Sequence, residues 1–265
     1  MPENAIIPLD TRTEILRRIR SAEQEHDVRV LYAIESGSRA WGFASQNSDF
    51  DVRFVYVRPK EWYLSVDLED RRDVIEYPIV DEIDINGWDI RKALKLFWKS
   101  NPTIIEWLQS PIMYIDDGVF SPAARSLIPD IYSIEKGIYH YRSMAKTNYR
   151  GYLKADRVPL KKYFYVLRPL LSIMWLEKKR LPAPTEFLTL RALVENNTVL
   201  DREISYLLAR KIASQEKEIA ASIPVIDAFI ESELERLESL TLDSTRKDCS
   251  FDSLNTLMLQ ILDQH

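Results

Sequence analysis

The residue types best suited to chemistry are clustered between positions 37 and 51. A glycine–serine pair, Gly37-Ser38, is followed eleven residues later by two aspartates, Asp49 and Asp51, that are separated by one residue. Carboxylate oxygens are hard ligands, which select Mg²⁺ or Mn²⁺ over softer metals. A glycine lets the backbone come close to a ligand. This order of parts is suited to binding a nucleoside triphosphate together with divalent cations.

Two predicted strands flank this cluster. Residues 28–34 are β-branched and aromatic and run into a Glu-Ser-Gly turn, and residues 49–57 alternate as a second strand. Successive side chains of a strand point to opposite faces, so we expect Asp49, Asp51 and Arg53 to share one face. The apolar residues between them are expected to be buried.

A third carboxylate is expected, because a site for two metal ions needs a bridging or flanking ligand. The next candidate strand covers residues 81–86, and its isoleucines are expected to face the core. Asp84 would then project from the opposite side, and it is our choice for the third ligand. Glu82 and Asp89 are the alternatives, because the register of a predicted strand is uncertain by one or two residues.

Taken together, these segments resemble the DNA polymerase β-like nucleotidyltransferases. The segments from Glu35 to Ala44 and from Ser48 to Val57 resemble more specifically the RNA-ligase-associated branch of predicted nucleotidyltransferases. The resemblance covers roughly residues 28–190, and three later segments also match that branch: residues 84–92, 100–111 and 161–169.

The resemblance implies a reaction. A hydroxyl attacks the α-phosphorus of a nucleoside triphosphate such as ATP, and pyrophosphate leaves. Asp49 and Asp51 would bind both ions, Mg²⁺ or Mn²⁺. Asp84 would help to hold the catalytic ion and would act as, or orient, the general base. These three aspartates are therefore the predicted catalytic and metal-binding residues.

The resemblance also implies how the nucleotide is held. Gly37 would let the backbone approach the triphosphate, and the Ser38 hydroxyl and amide would hold its β- or γ-phosphate. Residues 161, 165 and 168 share one face of a predicted helix, where cations could reach phosphates and a tyrosine could stack on a base. The alternative is an ordinary helix with core tyrosines and solvated cations. The predicted nucleotide-binding residues are Gly37, Ser38, Arg53, Lys161, Tyr165 and Arg168.

The pattern predicts an α+β fold with two domains. A polymerase β-like nucleotidyltransferase domain, with a small mixed sheet and helices, is expected over residues 1–118. A helical domain is expected over residues 119–265, and the resemblance implies that this domain selects the substrate. Gly87 is expected to end the sheet, and Asn101-Pro102 to begin a helix. A period of 3.6 predicts helices over residues 135–153, 160–177, 185–194, 201–217, 225–240 and 250–262.

Composition narrows the class of protein. The chain has 265 residues, of which 46% are hydrophobic and 29% charged, as is ordinary for a globular protein. No apolar run of about eighteen residues is present, so we expect no membrane span. The one cysteine, Cys249, and a start without a basic and apolar leader favour the cytoplasm. A net charge of −5 gives no general basic field for nucleic acid.

Three functions are compatible with these features. The first is nucleotidyl transfer to a nucleic-acid end, an RNA end in particular. The second is nucleotidylation of a protein or a small molecule, as in antitoxin-like and antibiotic-modifying relatives. The third is an inactive nucleotide-binding module. The intact aspartates at positions 49, 51 and 84 favour an enzyme over the third.

Overall fold

The chain folds into two compact units that interleave along the sequence. The computed structural model describes residues 7–213, 218–241 and 250–264. The sheet unit comprises residues 7–40, 49–132 and 250–264. The helical unit comprises residues 41–48, 133–213 and 218–241. The chain thus passes between the units several times, whereas the sequence pattern predicts one boundary at residue 118.

The sheet unit is built on a five-stranded mixed sheet with the strand order β3-β4-β2-β1-β5. Its strands are β1 (Arg29–Glu35), β2 (Phe50–Val57), β3 (Val74–Glu76), β4 (Ile83–Asp89) and β5 (Met113–Asp116). β1 is antiparallel to β2 and β5, and β3 is antiparallel to β4. β2 and β4 are parallel. The three predicted strands are confirmed as β1, β2 and β4, and the α+β class is confirmed.

Helices account for most of the other described residues. They are α1 (Leu9–His26), α2 (Gly37–Ala40), α3 (Lys60–Tyr63), α4 (Ile90–Trp98), α5 (Pro102–Leu108), α6 (Phe120–Ile131), α7 (Ile134–Tyr152), α8 (Leu160–Lys179), α9 (Phe187–Arg191), α10 (Thr198–Ala213), α11 (Pro224–Glu238) and α12 (Asp252–Leu262). Short 3₁₀ turns cover Leu68–Asp70 and Ala192–Val194. None of these described helices is both long and apolar enough to cross a membrane.

Sequence periodicity accounts well for these helices. Each predicted helical segment overlaps an observed helix, and Asn101 caps α5 by accepting a hydrogen bond from the amide of Thr103. The predicted segment 201–217 ends in residues that lie outside the described ranges. The helical unit also contains a two-stranded sheet of β6 (Arg157–Pro159) and β7 (Ile219–Ala221). That small sheet has no counterpart among the sequence predictions.

A buried apolar core packs against the strands that carry the predicted site residues. The inward side chains of β2, Phe50, Val52 and Phe54, are buried as the alternation predicts. They pack with isoleucines of α1 and β4 in one apolar cluster. Burial of apolar surface of this kind stabilises the fold by roughly 25 cal/mol per Å². Asp51 and Arg53, on the opposite face of β2, therefore project from a strand whose other side packs against the core.

Gly87 does not end the sheet, and this prediction is wrong. β4 continues through Gly87 to Asp89. A Cβ atom at position 87 would lie 2.2 Å from Cε2 of the buried Phe54 ring. The glycine is therefore required by the close approach of an aromatic ring to the strand, which is one of the reasons for glycine inside a strand.

This contact gives a stability prediction. Gly87→Ala should lower the free energy of unfolding by about 1–3 kcal/mol or more, because the methyl group overlaps a ring that is packed on all sides. Gly151→Ala is the matched control, since a Cβ there meets nothing within 4 Å and the residue lies in α7. That control should be neutral or stabilising by up to about 1 kcal/mol. Urea denaturation of the three proteins checks this, and equal midpoints would contradict it.

Candidate active site

Two predicted site residues, Asp51 and Asp84, are direct neighbours across the sheet. They are register partners on the parallel strands β2 and β4, so their side chains project from the same face. Nη2 of Arg53 donates to Oδ1 of Asp51 at 3.1 Å and to Oδ2 of Asp84 at 2.7 Å. The two carboxylates therefore converge on one positively charged nitrogen.

Arg53 and Asn86 fix this pair from either side. Nη1 of Arg53 donates to the carbonyl oxygens of Val52 at 2.9 Å and Asp84 at 2.8 Å. Nδ2 of Asn86 donates to Oδ1 of Asp84 at 2.6 Å. Both oxygens of Asp84 are thus held by hydrogen bonds. The role of Arg53 in binding a nucleotide stays a prediction, and its observed contacts are with the two carboxylates and two backbone carbonyl oxygens.

Gly37 lies directly against the Asp51 carboxylate. Its φ angle is +58°, and a Cβ atom there would be 2.0 Å from Oδ2 of Asp51. The preceding amide, that of Ser36, donates to the carbonyl oxygen of Asp51 at 2.8 Å. Glycine is needed here for two reasons, the left-handed backbone and the close approach. The glycine–serine turn at the start of α2 is therefore in contact with the carboxylate that follows it in the sequence.

Asp49 lies one residue before β2 and is half-buried. Nε of Arg39 donates to its carbonyl oxygen at 3.3 Å, and the Arg39 guanidinium lies 3.9 Å from the ring centroid of Phe50. The backbone at Asp49 is thus held from α2. Among the described residues, no group of three or more His, Cys, Asp or Glu side chains is arranged to hold a metal ion. The assembled set is accordingly the pair Asp51–Asp84 with Arg53.

The alternatives for the third carboxylate occupy other positions. Glu82 is exposed with a φ angle of +61°, and its carbonyl oxygen accepts from the amide of Phe50. Asp89 lies at the far end of β4, in register with Tyr56. It is buried and caps α4. Of the three acidic residues, Asp84 is the one beside Asp51.

Asp89 gives a pH prediction. Its carboxylate accepts from the amide of Arg91 and the hydroxyl of Tyr63, yet burial raises the pKa of Asp89 to about 6. The unfolded chain therefore loses this proton at lower pH than the folded chain. Stability from this group is full below about pH 4 and falls as the pH rises through about 6, by at most about 3 kcal/mol. Asp89→Asn should flatten that part of the curve of unfolding free energy against pH. Parallel curves for the two proteins would contradict this.

A buried carboxyl group that sequence reasoning missed forms a hydrogen bond with the backbone of Asp51. Glu35, at the end of β1, is fully buried. It accepts from the amide of Asp51 at 2.9 Å and from the hydroxyl of Tyr114 at 2.6 Å. Burial raises the pKa of Glu35 to about 7. In the sequence this glutamate resembles the first residue of a turn, and only the pairing of β1 with β2 and β5 reveals its partners.

The predicted nucleotide-binding residues of the helical unit lie around Trp41. The ring of Tyr165 meets Trp41 edge-on at 5.9 Å, and the guanidinium carbon of Arg168 is 4.4 Å from the Trp41 ring centroid. Arg168 is buried, whereas Lys161 is half-buried. Nζ of Lys162, which the helical spacing did not select, lies 4.5 Å from the Tyr165 centroid. A role of these residues in binding a nucleotide stays a prediction.

The connector of residues 41–48 is anchored inside the helical unit by polar contacts as well. Nζ of Lys211, on α10, donates to Oγ of Ser45 at 3.1 Å and to Oγ of Ser48 at 3.3 Å. All three residues are buried. A buried ammonium requires such partners, because desolvation without them is costly. The residue that precedes Asp49 in the chain is thereby fixed.

The fold and this site define a class of protein. The sheet is small and mixed, and a glycine–serine turn lies against one of two carboxylates on adjacent parallel strands. This is the arrangement of a polymerase β-like nucleotidyltransferase. Residues 11–260 match the family described as the RNA repair pathway DNA polymerase beta family, and the chain belongs to that family. Membership suggests nucleotidyl transfer. It also confirms the resemblance that the motifs indicate.

Two individual proteins also match this chain. A protein of Bacillus subtilis (strain 168), with the name Uncharacterized protein YcgL, is 43% identical over 255 residues, which are 96% of this chain and 97% of that protein. The crystal structure of a nucleotidyltransferase-like protein from Exiguobacterium sibiricum 255-15 aligns with 94% of this chain and 80% of that chain. Its sequence identity is 10% and its TM-score is 0.34.

Proposed function

We propose that this protein transfers a nucleoside monophosphate from a nucleoside triphosphate to a hydroxyl group at an RNA end, with release of pyrophosphate. One observation carries the proposal. Asp51 and Asp84 are register partners on adjacent parallel strands, and Gly37 lies against Asp51. The description of the family names an RNA repair pathway, and this supports RNA as the acceptor.

The donor set fits a divalent cation. Two half-buried carboxylates converge on a single cationic nitrogen, and hard oxygen ligands of this kind suit Mg²⁺ or Mn²⁺. Asp51, Asp84 and Asp49 are the residues that would hold the ion. When bound, it supplies charge stabilisation and lowers the pKa of a coordinated hydroxyl. Because Arg53 already contacts both carboxylates, we expect its guanidinium to turn aside when an ion binds.

The chain's own residues would position the reactants. The Ser38 hydroxyl would hold a phosphate oxygen of the triphosphate, next to a glycine that keeps the backbone close. Asp84 would accept or orient the proton of the attacking hydroxyl. Phosphoryl transfer needs little covalent help from a protein, so positioning and charge are the main contributions expected.

The test is a labelling reaction. The protein is incubated with each α-labelled nucleoside triphosphate, Mg²⁺ or Mn²⁺, and a single-stranded RNA with free ends. Parallel reactions contain cell lysate or the protein alone. We expect label on the RNA and release of pyrophosphate. Label on one protein band, or on a small molecule with the RNA unlabelled, would replace RNA by that acceptor class. No pyrophosphate in any mixture would overturn the proposal.

A further inference from the structure

A cavity of about 410 Å³ lies within the helical unit, between α7 and α11. Its α7 lining residues recur at helical spacing and so share one face, and α11 contributes residues near its C-terminal end. Pockets of roughly 300–1,000 Å³ are typical of small-molecule and cofactor sites. The lining residues are Tyr139, Arg142, Ser143, Lys146, Leu234 and Glu238.

Two cations are held at this cavity. Nη1 of Arg142 donates to the carbonyl oxygen of Leu237 at 3.0 Å, and the guanidinium carbon lies 4.8 Å from the Tyr139 ring centroid. Nζ of Lys146 contacts Oε1 of Glu238 at 2.7 Å. A guanidinium has five donors and an ammonium three, so both have donors for further acceptors. The lining thus combines a fixed guanidinium, an ammonium and a carboxylate.

The other lining groups complement a nucleotide. Tyr139 is 37% exposed, and an aromatic side chain that is open to solvent can stack on a base. Lys146 holds the pKa of Glu238 below its usual range, so this exposed side chain stays an acceptor-only carboxylate. A carboxylate of this kind accepts a hydrogen bond from a hydroxyl, and the 2′-hydroxyl is the donor that distinguishes RNA from DNA.

The pattern continues along α7 beyond the cavity. Tyr149 donates its hydroxyl to Glu231 at 2.6 Å, and Nζ of Lys154 lies 5.8 Å from the Tyr149 ring centroid. Aromatic rings interleaved with cations are typical of surfaces that follow a single strand. A protein with a net negative charge can bind nucleic acid in this way, because the contacts come from a local group of cations and aromatic rings.

We propose that this cavity binds one nucleotide of a single-stranded RNA. The base stacks on Tyr139, the phosphate is held by Arg142 and Lys146, and the 2′-hydroxyl donates to Glu238. The choice of RNA as the acceptor rests on the proposed function. The site deepens that function, because it gives the acceptor strand a binding surface of its own on the helical unit.

The test measures binding without chemistry. A fluorescent single-stranded RNA and the DNA of the same sequence are titrated with the full-length protein in EDTA, without nucleotide, and anisotropy is recorded at several salt concentrations. We expect tighter binding of RNA than of DNA. Neutralisation of one phosphate should give a logarithmic salt slope of only about −0.7. Tyr139→Ala and Lys146→Ala should each weaken RNA binding about tenfold. Glu238→Gln should reduce the preference for RNA while DNA binding is kept.

Matched controls lie on α10 of the same unit. Tyr206→Ala and Arg202→Ala remove an exposed aromatic and an exposed cation, and both variants should bind RNA like the parent. Circular dichroism and thermal denaturation show that each variant is folded. Equal RNA affinity for the parent, Tyr139→Ala and Lys146→Ala, or equal binding of RNA and DNA, would overturn the cavity proposal. If RNA binds as expected but is never labelled by the wild-type protein, the site stands and the proposed transfer reaction falls.

Discussion

Asp51→Asn should lower the rate of nucleotidyl transfer by at least about 10³-fold while the protein stays folded. The carboxylate faces Asp84 across the two strands, and the substitution removes its negative charge with almost no change of shape. Loss of one preorganised electrostatic group in an active site typically costs about 10²–10³-fold, and loss of Asp51, which we propose as a ligand of the catalytic ion, should cost more. Initial rates of pyrophosphate release measure this effect.

A second measurement separates loss of the ion from loss of the fold. The affinity of the variant for Mn²⁺, measured from the electron paramagnetic resonance signal of the free ion, should be weakened by more than ~10–100-fold. That range is usual for groups that only support a metal ligand. Asp70→Asn is the control, since this aspartate is exposed in the 3₁₀ turn of the sheet unit. It should change neither value. A purified Asp51→Asn protein that transfers nucleotide at near the parent rate would show that Asp51 is not part of the catalytic site.

Local patterns in the sequence predict most of the elements that carry the site. The alternation around Asp51 predicts which face of β2 is polar, because a strand has a fixed period of two. The isoleucines on either side of Asp84 predict the same for β4. The resemblance of these motifs to a known family then suggests that the two strands belong to one site. Each of these inferences depends on neighbours in the sequence or on a resemblance.

Contacts between distant residues were beyond such patterns. Arg53 contacts Asp84, thirty-one residues away, only because β2 and β4 pair in one particular register. Glu35 is buried because β1 pairs with strands on both sides. In the sequence, Gly87 resembles the end of a strand. The Phe54 ring that requires a glycine at position 87 is distant from that position in the sequence. The interleaving of the two units likewise depends on long-range contacts such as Lys211 with Ser45.

Gly37→Ala should reduce nucleotidyl transfer strongly, by about 10²-fold or more, because the new methyl group would displace the Asp51 carboxylate. A Cβ atom 2.0 Å from Oδ2 cannot be accommodated without movement of either the turn or the aspartate. The left-handed backbone adds strain of about 1–2 kcal/mol for any residue with a side chain. Transfer rates and thermal denaturation should therefore both be measured.

Gly118→Ala separates these two effects of the Gly37 substitution. Gly118 also has a positive φ angle, +76°, but a Cβ atom there meets nothing within 4 Å. It lies in the same unit and carries the same kind of backbone strain. Gly118→Ala should therefore lose stability and keep its transfer rate, whereas Gly37→Ala should lose both. If the two variants lose activity equally, the contact between Gly37 and Asp51 has no special part in the reaction, because backbone strain alone would then account for the loss.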